Sequence, residues 1–194
     1  MLRRHFIALT AVGVGTLATG LPAMAKEDAR PLLLLRGEGD RSVVDGFHDA
    51  LDAHGVPHPV EAMLDRGLMF DAVRLKSLLV QHKSYRIVAI TNDAGAFLLN
   101  SAVMDVRGRV LCAGHHIGGS HENAPSRHIF SATAAASGMA GAVYNTQDVA
   151  WTRALGGSLG MLAIGVWRPR ADVDAVHEKF VDQSVKMATL VADL

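Results

Sequence analysis

The chain has 194 residues, and its 19 lysines and arginines balance 19 aspartates and glutamates, giving zero formal charge with histidine neutral. Apolar residues make up 49% of it and Cys112 is its single cysteine, which excludes an intramolecular disulfide and leaves stability to packing. No cluster of lysine and arginine is present that could follow a phosphate backbone, so nucleic acid is not an expected partner.

In chain order, the first feature is the leader "MLRRHFIALTAVGVGTLATGLPAMAK". A basic start is followed by a mildly apolar stretch from Phe6 to Leu21 and then by Ala23-Met24-Ala25, the layout of an export signal with a small-residue cleavage site. The apolar stretch is short and rich in Gly and Thr, so a membrane span is not expected. Arg3-Arg4-His5-Phe6-Ile7 resembles the twin-arginine (Tat) signal family, in which two arginines precede any residue, a Phe and an aliphatic. That resemblance implies a precursor handled by the Tat machinery, a periplasmic address, and export after folding, often with a metal or cofactor already loaded. Residues 1–25 are therefore expected to be removed, leaving residues 26–194 as one domain with 17 basic and 19 acidic residues, a formal charge of −2.

"PLLLLR" (Pro31 to Arg36) reads as a buried strand, because its apolar run is continuous and bounded by Pro and Gly. After the turn "GEGDRS", Ser42 and Asp45 stand at capping-box spacing and open a helix with Val44, Phe47 and Leu51 on one face, ended by Gly55 and Pro57. "VEAML" is a weaker strand. Leu68, Ala72, Leu75 and Leu79 form the stripe of the next helix. "RIVAI" is a strand, Asn92 or Asp93 caps a helix running to Val106, and Gly108 is expected as its left-handed stop. "RVLCA" (Arg109 to Ala113) is a strand, followed by the segment "GHHIGGSHENAPSRH", with a helix expected to start between Asn123 and Ser126. "GAVY" (Gly141 to Tyr144) and "MLAIGVW" (Met161 to Trp167) compete as a fifth strand. A helical stretch through Trp151, Leu155 and Leu159 is threatened by Gly156, Gly157 and Gly160, each costing about 1 kcal/mol inside a helix. Val173, Val176, Phe180, Met187 and Val191 predict a closing amphipathic helix.

Strands alternating with helices at this spacing predict a three-layer α/β/α domain, doubly wound, with a mainly parallel sheet of four to five strands in flavodoxin-like order. In such sheets ligands bind beyond the carboxyl ends of the strands, where strand order reverses. The expected ligand-binding residues are Gly37, Gly39, Asp40 and Ser42 from the first loop, Thr91, Asn92 and Asp93 from the third, and His115, Ser120 and Arg127 from the fourth. Four of the ten histidines fall between Gly114 and His128. His116, His121 and His128 are the candidate ligands for zinc or copper, although their spacing matches no established zinc motif. His115 and His116 are adjacent, so in extended backbone they point to opposite sides and cannot share an ion. Cys112, in an apolar strand, reads as an inert thiol. His48, His54, His58 and His177 read as surface or boundary residues.

The leading expectation is a periplasmic binding protein for a small molecule or metal ion. The alternatives are a small hydrolase using Asp93 with a histidine base, His116 being a candidate, and a non-catalytic accessory protein.

Overall fold

The computed structural model describes residues 30–37, 41–118, 126–132, 151–166 and 185–194. Their elements are β1 (Leu32–Arg36), α1 (Arg41–Ala53), β2 (Val60–Met63), α2 (Arg66–Met69), α3 (Ala72–Gln81), β3 (Arg86–Thr91), α4 (Asp93–Asp105), β4 (Arg109–Gly118), β5 (Ser126–Ala132), α5 (Trp151–Ala163) and β6 (Val185–Asp193). The fold is α/β, built on one six-stranded sheet in the order β2-β1-β3-β6-β4-β5.

That sheet is mixed rather than mainly parallel. β1 pairs in parallel with β2 and β3, whereas β6 runs antiparallel to both β3 and β4, and β5 antiparallel to β4. Alternation along the strands divides the apolar side chains into two buried clusters. Leu32, Leu34, Val88, Ile90 and Met187 pack with α1 and α5, while Leu33, Leu35, Ile87, Ala89 and Leu190 pack with α2, α3 and α4. Both faces of β1, β3 and β6 are therefore dry, which explains their continuous apolar runs.

Several elements differ from expectation for identifiable reasons. The stripe from Leu68 to Leu79 is cut into two helices, because Asp65 accepts a hydrogen bond from Leu68 N at 2.7 Å and Asp71 accepts one from Arg74 N at 3.0 Å. Each aspartate caps a new start. α4 ends in a Schellman turn whose left-handed residue is Arg107 at φ 61°, not Gly108. Arg107 N donates to Met104 O and Gly108 N to Val103 O. Gly108 is required instead for close approach, since a Cβ there would lie 2.9 Å from Asp193 O.

The helix expected near Asn123 to Ser126 gives way, from Ser126, to β5, and Met187 and Val191 belong to β6, not to a closing helix. β6 is buried on both sides from Met187 to Ala192, so its sequence lacks the two-residue alternation that marks a half-buried strand. Val173, Val176, Phe180 and "GAVY" lie outside the described residues. "MLAIGVW" does not form a strand where it is described. Met161 to Ala163 finish α5, and Gly165 at φ 74° closes a Schellman turn through Gly165 N to Leu162 O and Val166 N to Met161 O.

α5 runs unbroken through its glycines because two of them face α1. A Cβ on Gly156 would sit 1.9 Å from Val43 O, and one on Gly160 would sit 2.7 Å from the Ala50 Cβ. Gly46 on α1 reciprocates, its missing Cβ falling 2.1 Å from Arg153 O. The two backbones thus touch, and dispersion contacts along this seam offset the glycines' poor helix propensity. Ser42, expected as a helix cap and ligand donor, lies within α1 and hydrogen-bonds the Thr152 hydroxyl of α5.

Candidate functional site

Strand order reverses at β1. The chain leaves β1 for α1 on one face and leaves β3 for α4 on the other, and in open α/β sheets the carboxyl ends of two such strands are where a ligand crevice is expected. Gly37 closes one side, its N–H donating to Ile90 O at 2.8 Å. A Cβ on Gly37 would lie 3.1 Å from Thr91 Oγ1, and one on Gly95 would lie 2.3 Å from the same oxygen. Glycine at both positions lets the two chain turns close around Thr91. The Thr91 hydroxyl is buried, with the residue 4% exposed, and finds no hydrogen-bond partner among the described residues. Such an orphan costs about 1–3 kcal/mol unless something outside the described set satisfies it.

The next turn is built by local capping. Asn92 is the N-cap of α4, its side chain accepting from Gly95 N at 2.9 Å. Asp93 then occupies the first helical position, where its charge complements the helix dipole. Register carries a third element to this place, because Thr91 lies opposite Ala188 of β6 and Ala188 opposite His115 of β4. Directly paired residues share a face, so His115 stands on the α4 side with only an alanine between. His115 Nδ1 lies 2.8 Å from Asp93 Oδ1. An ionised carboxylate can only accept, so Nδ1 carries the proton and Nε2 of the neutral ring keeps its lone pair. The two side chains are 54% and 71% exposed, which leaves the pair open to a ligand.

His116 points the other way. It is 0% exposed, on the α5 side of the sheet, with Nε2 2.9 Å from Thr189 Oγ1. Gly114 and Gly118, which flank the histidine pair, make room on that face. A Cβ on Gly114 would lie 2.6 Å from His116 Nε2, and one on Gly118 would lie 2.8 Å from the Trp151 indole. The first half of the histidine-rich segment is therefore strand rather than loop, with one histidine outside and one inside. His128 and Arg127 lie on β5, in register opposite His116 and Ile117. Gly39, Asp40, Ser120 and His121 fall outside the described residues.

Of the expected site residues, Gly37, Thr91, Asn92, Asp93 and His115 converge, whereas Ser42 and His116 belong to the opposite, buried face. Among the described residues no three histidine, cysteine or acidic side chains meet as a metal-binding group. Burial pushes the Cys112 thiol up to about 12, so it stays protonated near neutral pH and is a poor nucleophile or ligand.

A second polar cluster was not anticipated. On the β2 edge, Glu61 bridges Arg36 Nε and His48 Nε2, both at 3.1 Å, and His58 Nε2 meets Asp52 at 2.9 Å. The His48 and His58 rings stack with centroids 4.7 Å apart. His48 and Asp52 stand four residues apart on one helix face, the signal that could have grouped them. Under the opposite end of the sheet, Asp193 binds Arg86 at 2.7 Å and Arg109 at 3.3 Å. Burial raises its carboxyl pKa, but the Arg86 hydrogen bond and charge, joined by Arg30 and Arg109, outweigh this and hold it below the usual carboxylate value.

None of the described helices is long and apolar enough to cross a membrane. Comparison with known proteins finds no matching family, no matching curated protein and no matching solved structure.

Proposed function

We propose that the chain is a Tat-exported periplasmic binding protein whose ligand, a small molecule or a zinc or copper ion, sits at the carboxyl edge between the β3–α4 turn and β4. This reading treats β2-β1-β3, with its flanking helices, as the doubly wound half of a three-layer, flavodoxin-like arrangement. The observation that carries it is the bond from His115 to Asp93. A carboxylate that fixes Nδ1–H leaves Nε2 as a donor aimed away from its partner, the arrangement seen around metal-ligating histidines. The buried Thr91 hydroxyl, without a partner among the described residues, adds a polar group at the same edge.

For the metal form, His115 is the better-placed donor, because His116 turns its Nε2 into the sheet towards Thr189. His121 would be its partner in the set, since His128 stands in register with His116 rather than with His115. Calorimetric titration of zinc and of copper into protein exported by its native route tests this. Near-stoichiometric binding that falls roughly 10–100-fold in Asp93→Asn supports the assignment. Weak binding unchanged by His115→Ala would remove the metal from the account. Export itself is tested by replacing Arg3 and Arg4 with lysine, which should leave the precursor inside the cell.

The same bond favours one other reading, a small hydrolase in which Asp93 orients His115 as general base. Turnover of generic esters or phosphate esters, lost in both His115→Ala and Asp93→Asn, would select the enzyme over the binder.

A further inference from the structure

A second concave site lies at the other end of the sheet, by the amino ends of β1 and β2. It is a cleft of about 470 Å³, within the roughly 300–1,000 Å³ that small-ligand sites occupy. Val56, Val60 and Ile164 contribute to an apolar wall, and Arg30, His54 and His58 stand among its lining. Among the described residues, no aspartate or glutamate lines it. Arg30 is exposed and forms no ion pair among the described residues. Asp193, whose carboxyl feels the Arg30 charge, already holds Arg86 and Arg109. The His58 ring is bonded to Asp52, and among the described residues His54 Nε2 meets the weak acceptor Met161 Sδ at 3.0 Å.

We propose that this cleft binds a small amphipathic monocarboxylate, its apolar body against Val56, Val60 and Ile164 and its carboxylate at Arg30. An apolar wall alone would accept any greasy molecule. Among the described residues the guanidinium has no ion-pair partner and the lining has no carboxylate, which favours an anionic head, and the planar fork of arginine suits a carboxylate. This site is separate from the carboxyl-edge crevice and does not depend on what binds there.

The probe is octanoate, with octanol as its uncharged counterpart, titrated into the full chain by calorimetry and mapped by amide chemical shifts. Octanoate should bind saturably, one per chain, with shifts gathered at Val56, Val60 and Ile164. Arg30→Ala should weaken octanoate roughly threefold to fivefold, the size of an exposed ion pair, and leave octanol unchanged. Val60→Trp, a substitution at an exposed strand position, should weaken both ligands by about tenfold or more by filling the cleft. The proposal is overturned if octanoate does not saturate, if its shifts fall on Thr91, Asp93 and His115, or if Val60→Trp binds it unchanged. Equal weakening of octanoate and octanol by Arg30→Ala would overturn the carboxylate assignment.

Discussion

Adding one methyl group at each of two adjacent glycines of α5 should move stability in opposite directions. Gly156 and Gly157 both lie inside the helix, so alanine at either position gains about 1 kcal/mol of helix propensity. At Gly157 the nearest atom to the new Cβ is Gly46 O at 3.7 Å, ordinary contact, so the gain should survive almost whole. At Gly156 the Cβ would stand 1.9 Å from Val43 O and 2.8 Å from Phe47 N. Both are backbone atoms of α1, so no rotamer change relieves the overlap and the helices must separate. Overpacking costs about 1–3 kcal/mol where side chains can adjust, and a backbone clash belongs at or above the top of that range. Subtracting the propensity gain leaves Gly156→Ala less stable by about 2 kcal/mol or more, and Gly157→Ala more stable by up to about 1 kcal/mol. Urea unfolding followed by circular dichroism reads both as midpoint shifts at constant slope. Equal stabilisation by the two substitutions would refute the contact between α1 and α5.

Three further outcomes follow from the same structure. Arg107→Gly should raise stability by about 0.5–1 kcal/mol in thermal or urea unfolding, because relief of the left-handed strain exceeds the added unfolded-state entropy; a loss would mean that position 107 is not left-handed. Asp193→Asn should cost about 3–5 kcal/mol, since Arg86 would keep a buried charge without its counter-ion. Asp193's pKa is lowered by folding, so its stabilisation is full above the ordinary carboxylate range and lost as pH falls through the lower folded value. Wild-type stability should therefore decline more steeply with acid than the variant's, and parallel profiles would contradict the pairing. Cys112 should resist Ellman's reagent at pH 8 in the folded chain and react once unfolded in urea, whereas rapid native labelling would contradict its burial.

The parallel end of the sheet was legible because each of its strands is punctuated. Pro31 and Gly37 bound β1, and Asn92 ends β3 by capping the next helix. From these boundaries the meeting of Gly37, Thr91 and Asp93 could be anticipated, whereas the place of His115 beside them depends on β6. The antiparallel end was harder to read for a physical reason. β6 is made largely of alanine, leucine, methionine and valine with both faces dry, and a strand without alternation cannot be told from a buried helix by periodicity. β5 was missed because the proline and polar residues before it resemble a helix start. The role of the glycines was hidden for a different reason. Propensity counts Gly156 and Gly160 as liabilities, and only the crossing of α1 shows that a side chain there would not fit. The histidine pair illustrates both sides. Strand geometry alone sends His115 and His116 to opposite faces, but which one is exposed depends on β6 lying beside them.

The most direct test of the account is the state of the His115 ring, read by long-range proton–nitrogen NMR of histidine-labelled full chain near neutral pH. The account predicts a proton on Nδ1 and a bare Nε2, with zinc shifting Nε2 of His115 ahead of His48 and His58, and Asp93→Asn abolishing the tautomer preference. A ring protonated on Nε2, or zinc acting first on the histidines of the β2 edge, would contradict a site built on His115.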